Sequence, residues 1–339
     1  MAKRVGRYTI KMENMPSING FAAVCGKKEA EGPLGEYFDY TYDDTTLGEA
    51  SWEKAESKLQ TEAVNRALEK ANVRAADVDF IFAGDLLNQC ISSTFGLRNL
   101  NIPFLGQYGA CSTMAQTLIL SSIMVECAIA KNCVAVTSSH FCSAERQFRF
   151  PLEYGGQRTP TAQWTVTGSG AAVVGGSGNN PFISAVTVGK IVDLGIKDAN
   201  NMGAAMAPAA AATLEDFLKD TETTPNDYDL ILTGDLGQVG SDLLFELLSK
   251  DGIKLGNKHN DCGVMIYDKE KQDVHAGGSG CGCSATVLCS VILNKLKKGD
   301  LNNILFMATG ALMSPTSSQQ GESIPGVAHL VQIKSNLNQ

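Results

Sequence analysis

Apolar residues in this chain fall into short strand-length runs separated by longer segments of helical spacing. The run Asp79-Phe80-Ile81-Phe82-Ala83-Gly84-Asp85-Leu86 is matched position for position, 150 residues later, by Asp229-Leu230-Ile231-Leu232-Thr233-Gly234-Asp235-Leu236. Each reads as a buried strand closed by Gly-Asp. Further runs at 133–140, 168–175 and 304–310 read as strands of the same kind, and 8–10 and 20–25 as two more near the N-terminus. Between them, Ser51 can cap a helix running to about Ala71, with Trp52, Ala55, Leu59, Ala63, Ala67 and Leu68 on one face. Segment 112–130 carries a single charge, Glu126, and predicts a helix buried on nearly every side. A helix over 284–298 followed by the strand at 304–310 echoes that central helix and its strand. The 27–50 stretch, polar and acidic with Tyr37, Phe38, Tyr40 and Tyr42, reads as an ordered surface loop.

This internal repeat predicts two pseudo-twofold halves, 1–178 and 179–339, sharing one layered α/β core. Buried strands alternating with helices predict mostly parallel pairing, with ligands at the strands' C-terminal ends. Four turns would then meet at one crevice: 109–111, 138–142, 234–240 and 277–283.

Composition narrows the function. A net charge of −8 argues against nucleic acid as a partner. Ten cysteines without disulfide-scaffold spacing, and no signal peptide, point to a reducing compartment. Cys281-Gly282-Cys283 could hold a soft metal, but no second pair or histidine cluster completes a zinc site. No apolar run stands out as a membrane span. Lys3, Arg4, Arg7 and Lys11 form a basic N-terminal cluster that suits either a solvated arm or contact with an anionic surface.

Candidate chemistry centres on Gly109-Ala110-Cys111-Ser112. A cysteine in the first turn of a buried helix meets free N–H groups and a positive dipole end, and both favour the thiolate. The alternative is an inert buried thiol.

This Gly-Ala-Cys turn, in a duplicated α/β chain whose first half ends in Gly168-Ser169-Gly170-Ala171-Ala172, resembles the thiolase-like superfamily of thiolases and ketoacyl synthases. The resemblance implies a five-layered αβαβα fold built from two pseudo-twofold-related halves, with Cys111 at the acyl-accepting position. Its enzymes draw His and His, or His and Asn, from two loops of the second half. Here those loops read Thr233-Gly234-Asp235-Leu236-Gly237-Gln238 and Gly278-Ser279-Gly280-Cys281-Gly282-Cys283, with neither residue type. An anionic Asp235 would disfavour both a thiolate and an enolate. The expectation is a scaffold that keeps the pocket without the catalysis.

Within the superfamily, Gly32-Pro33-Leu34-Gly35-Glu36-Tyr37-Phe38, the segment from Ser138 to Arg149, Gly310-Ala311-Leu312-Met313-Ser314-Pro315-Thr316 and Gln320 to His329 resemble a branch among the stage V sporulation proteins. That resemblance implies a non-catalytic protein at the spore inner membrane. It would bind dipicolinic acid, with calcium as a possible companion and no other cofactor. It would work with membrane proteins in moving that compound into the forespore, and out again in germination. It also implies a homodimer, with part of 85–107 near the interface.

A flat dianion calls for forked donors and an apolar wall. Cys111, His140, Arg146, Arg149, Arg158, Gln163, Asp235 and Cys281 are the candidate ligand-binding residues, with no catalytic or metal-ligating residue. The arginines could equally make ion pairs with Glu145 and Glu153. A working acyltransferase using Cys111 with His140 or His275 is the competing reading, and a structural partner of membrane subunits is the third.

Overall fold

The computed structural model describes residues 2–148, 158–176, 178 and 180–336. Ten strands run through its main sheet: β1 (Ser17–Cys25), β2 (Phe80–Gly84), β3 (Phe104–Gly106), β4 (Asn132–Ser139), β5 (Gly168–Gly175), β6 (Phe182–Thr187), β7 (Leu230–Thr233), β8 (His259–Asp261), β9 (Asn303–Ala311) and β10 (Gly326–Lys334). Their spatial order is β8-β7-β9-β10-β6-β1-β5-β4-β2-β3. Read outward from the β6–β1 seam, each side repeats the other: first strand, fifth, fourth, second, third. Pairing of β2 with β3 and β4, and of β7 with β8 and β9, is parallel. Pairing around β5 and β10 is antiparallel, so the sheet is more mixed than the repeat alone predicts. An N-terminal hairpin adds its Thr9–Lys11 strand to β6.

The repeat extends to single hydrogen bonds. Asp79 Oδ2 accepts from the N–H groups of Lys131 and Asn132 at 2.6 and 3.1 Å. Asp229 Oδ2 accepts from those of Asn302 and Asn303 at 2.7 and 3.1 Å. Each aspartate thereby pins the start of a neighbouring strand (β4 or β9) to the start of its own.

Seven helices matter for the layers: α1 (Trp52–Ala71), α2 (Ile91–Leu97), α3 (Thr113–Glu126), α4 (Phe141–Phe148), α5 (Met202–Thr221), α6 (Gly237–Lys250) and α7 (Cys281–Val287). The chain continues from α7 through a π-helical turn, Leu288–Ile292, into Leu293–Lys298. Ser51 caps α1 as expected, accepting from Lys54 N, and Asn72 in the left-handed region ends it.

Strand side chains alternate between two cores, as a two-residue period requires. In β4, Val134 and Val136 face Leu59, Ala63 and Val64 of α1, whereas Cys133 and Ala135 face the central helices α3 and α7. In β9, Leu305 and Met307 face Met206, Leu214 and Phe217 of α5, while Ile304 and Phe306 turn to the same central layer. The halves of this sheet meet at the β6–β1 seam through the single pair Phe182–Ser17, and the layers run helix, half-sheet, paired central helices, half-sheet, helix. α3 can be apolar all round because it lies between the two halves of the sheet.

Candidate functional site

The Cys111 turn follows β3 and is tied down by its own polar groups. Ser112 Oγ donates to Gly109 O at 2.7 Å, Thr113 Oγ1 donates to Ala110 O at 2.6 Å, and Gly109 N donates to Thr113 Oγ1 at 3.1 Å. Ala110 takes a left-handed φ of 49° to turn the chain. β9 presses against the turn at Gly310, where an added Cβ would lie 2.3 Å from Gly109 O. Cys111 is thereby set at the floor of the crevice, buried, at the entrance to α3.

Opposite it stands Asp235, just past the end of β7 and fully buried. Its Oδ2 accepts from Gly280 N at 2.8 Å and its Oδ1 from Thr309 Oγ1 at 2.9 Å, and the Cys111 thiol faces the same carboxylate. Burial pushes Asp235 up to about 7, against the pull of these donors. Burial first, then the charges of Asp235 and Cys281, push the Cys111 thiol well above its ordinary value. The helix N-terminus was expected to favour a thiolate; desolvation and a neighbouring acid outweigh it. Iodoacetamide at neutral pH should therefore label exposed Cys127 at least ~10-fold faster than Cys111 by peptide mass spectrometry. Equal labelling would contradict this account.

Above this floor opens a narrow pocket, open to solvent on one side, with a volume of about 40 Å³. Leu86, Phe148, Met202 and Met313 give it apolar walls, Ser279 and Thr165 offer hydroxyls, and Tyr108 stands at its mouth. The two-residue pairing of Trp164–Thr165 with Gly278–Ser279 brings the 158–165 segment to this wall.

The other candidates divide. Gln163 is buried beside the pocket, its Nε2 donating to Asp235 O at 2.7 Å and Gly278 O at 2.8 Å. With Thr165, Met202 and Ser279 it lines a small adjoining chamber. The Cys281 thiol donates to Ser138 O at 2.9 Å, and its side chain packs with Cys111, Leu86 and Ala144. Arg158 pairs with Glu145 at 3.5 Å, donates to Gln163 O, and lies over Phe141 and Trp164. Arg146 turns away to Glu53 and the ring of Trp52. His140 also turns away: Nε2–H donates to Thr45 O at 2.7 Å, Nδ1 accepts from Cys142 N at 3.1 Å, and burial favours its neutral form. Arg149 lies outside the described residues.

None of the other three histidines lines the pocket. His259 bonds Thr233, His275 pairs with Asp273, and His329 accepts from Gly189 N. Among the described residues, no three His, Cys, Asp or Glu side chains group to hold a metal ion. Sequence reasoning offered Phe148 as an aromatic wall residue but missed Glu145, Met202 and Met313. Only the amphipathic spacing of Ala144, Glu145 and Phe148 hinted that this helix shows one face to a cavity.

The family model of stage V sporulation protein AD matches residues 6–334. Stage V sporulation protein AD of Bacillus subtilis (strain 168) is 50% identical over 327 residues, which covers 96% of each chain. Among solved structures, 3-oxoacyl-[acyl-carrier-protein] synthase III from Aquifex aeolicus VF5 is similar with a TM-score of 0.59 at 14% identity, covering 94% of this chain and 99% of that one. Cerulenin-bound OleA of Xanthomonas campestris has a TM-score of 0.59 at 14% identity, covering 97% of both chains. At such identities these two enzymes share the thiolase-like fold with this chain, and nothing more follows from them.

Proposed function

The chain belongs to the stage V sporulation protein AD family, and from that premise we propose that it is a non-catalytic thiolase-like protein that binds dipicolinic acid and takes part in its transport during sporulation. The observation that carries the non-catalytic reading is the carboxylate of Asp235 set against the Cys111 thiol. Acyl transfer and condensation need a thiolate and donors aimed at developing oxyanions. An acid at that point opposes both.

A narrow slot with apolar walls and hydroxyls near its base suits a small flat ring bearing carboxyl groups. Glu145 on the wall is already paired with Arg158, but an ionised Asp235 at the floor would repel a free dianion. The calcium chelate, whose charges cancel, or a protonated acid fits this surrounding better. No helix among the described residues is long and apolar enough to cross a membrane, so transport would need membrane partners. The reading includes a homodimer paired through β3, whose Phe104, Leu105 and Gly106 are all exposed beside exposed Phe95 and Tyr108.

Calorimetric titration of the purified chain with dipicolinate, with and without calcium, tests it. Saturable binding should weaken at least ~10-fold in Ala144→Phe, which fills the pocket wall. The competing acyltransferase reading draws on the position of Cys111 at the pocket floor. An acyl adduct on Cys111 after incubation with acetyl-CoA, without dipicolinate binding, would establish it instead.

A further inference from the structure

Behind the pocket lie two carboxylates that its chemistry does not use, Glu56 of α1 and Asp85 just past β2. Both are buried, at 1% and 0% exposure. Among the described residues no basic side chain pairs with either. Each instead collects neutral donors. Glu56 Oε1 accepts from Ser138 Oγ at 3.0 Å and Oε2 from Ser143 Oγ at 2.7 Å. Asp85 Oδ1 accepts from Leu87 N at 2.9 Å, and Oδ2 from Ser93 N at 2.8 Å and Ser93 Oγ at 2.6 Å. Gln60, one turn after Glu56, joins the two sets: its Nε2 reaches Ser93 Oγ at 2.9 Å and Ser138 Oγ at 2.8 Å.

These bonds hold the pocket's wall. Ser143 belongs to α4, whose Ala144, Glu145 and Phe148 line the pocket, and Leu86 comes from the 85–93 loop, which runs from Asp85 into the first turn of α2. Gln147 ties the two walls, donating to Leu86 O at 3.0 Å and accepting from Asn88 N at 2.9 Å. Two buried like charges without a cation cannot both persist in a closed interior.

We propose that Glu56 and Asp85 form a proton-operated latch, which holds α4 and the 85–93 loop against the pocket while the pair keeps one proton and releases them when it is lost. Burial, and for Glu56 also the charge of Asp85, pushes both acids above the usual carboxylate range. The other ionisable groups facing the pair do not relieve it. Cys281 from α7, Cys90 from the loop and Tyr108 from the Cys111 turn all feel the acids as repulsion. On the outer side Glu53 is taken by Arg146, and His140, bonded to Thr45 O, is kept neutral by its burial. Glu145 of α4 is paired with Arg158.

The chain's two tryptophans report directly on α4. Trp164 stacks on Phe141, its first residue, with ring centroids 3.8 Å apart, and Arg146 lies over Trp52 at 5.4 Å. Intrinsic fluorescence of the ligand-free protein should therefore step to the red as pH rises from about 6 to about 9.5. Glu56→Gln should flatten that step, and Asp85→Asn, made in parallel in case the first variant folds poorly, should do the same. A flat wild-type profile, or a step unchanged in both variants, overturns the latch.

Its effect on ligand rests on the dipicolinate reading above. There, the wild-type Kd for calcium dipicolinate should rise at least ~10-fold across the step, and Glu56→Gln should remove that rise. Absence of binding at any pH would remove the ligand reading while the fluorescence still decides the latch.

Discussion

Gly170→Ala should cost about 3 kcal/mol of stability, a fall of roughly 5 °C in Tm, although it adds a single methyl group. Gly170 lies in β5, between β1 and β4, where α7 crosses the sheet almost in backbone contact. A Cβ there would meet Ala285 O at 2.3 Å and Ala285 C at 2.5 Å. These are main-chain atoms of a buried helix and cannot rotate aside as a side chain would. Relief requires α7 to back away, and α7 carries Cys281 and the amide of Gly280 that holds Asp235. The same variant should therefore weaken ligand as well as stability. Gly176→Ala, just past the same strand, is the control: its Cβ meets only Val125 Cγ1, at an ordinary 3.6 Å. That change should stay within ~0.5 kcal/mol of wild type in urea unfolding. Equal losses at both positions would sink the close-approach argument.

The second large effect is on stability against pH. A carboxyl with a higher pKa folded than unfolded contributes fully below the unfolded value, near pH ~4, and loses that contribution as pH rises through the folded one. Asp261 and Asp235, held up to about 6 and about 7 by burial, act in this direction, and Glu56 extends it further to the alkaline side. His259 and His329, pushed down to about 4 by burial, act oppositely: their contribution is present above the unfolded value near pH ~6.5 and lost as pH falls toward 4. Below neutrality the two histidines offset the two aspartates. Above it none of the shifted groups among the described residues offsets the acids before pH ~10. The free energy of unfolding should drop by several kcal/mol between about pH 6 and about pH 8.5, with Glu56→Gln removing part of the slope. A curve level over that window would show that these acids titrate normally.

Much of the fold was legible because it depends on local pattern. The Asp79 and Asp229 runs sit at equivalent places in the two halves, and even their side chains repeat one task. The buried character of α3 followed from its nearly uncharged sequence, and α1 began and ended where its cap and periodicity placed it. The site was harder to read. Cys111 and Asp235 face one another as the two loops suggested, but the polar residues of α4 found protein partners. Arg146 reaches Glu53, 93 positions earlier in the chain, and no local signal distinguishes that partner from a ligand. His140 is a similar case, claimed by a backbone carbonyl of the 27–50 loop. Glu56 and Gln60 interrupt the face of α1 that buries Ala55, Leu59 and Ala63. In sequence they read as blemishes on an apolar stripe, because the serines that satisfy them lie on other elements.

The layering carries a consequence for motion. α1 with α2, and α5 with α6, each cover one outer face, so either pair can open locally while the rest of the molecule stays intact. The amides of α3 and α7 have no such freedom, because exposing them requires the two halves of the sheet to part. Slow hydrogen exchange therefore belongs to the middle layer and faster exchange to both outer ones, so protection is divided by depth rather than between the two halves. Cys111 stands at the entrance of the slowest helix while α4 and the 85–93 loop face it from outside that layer, and a ligand would rest on the most protected layer on one side and on elements outside that layer on the other.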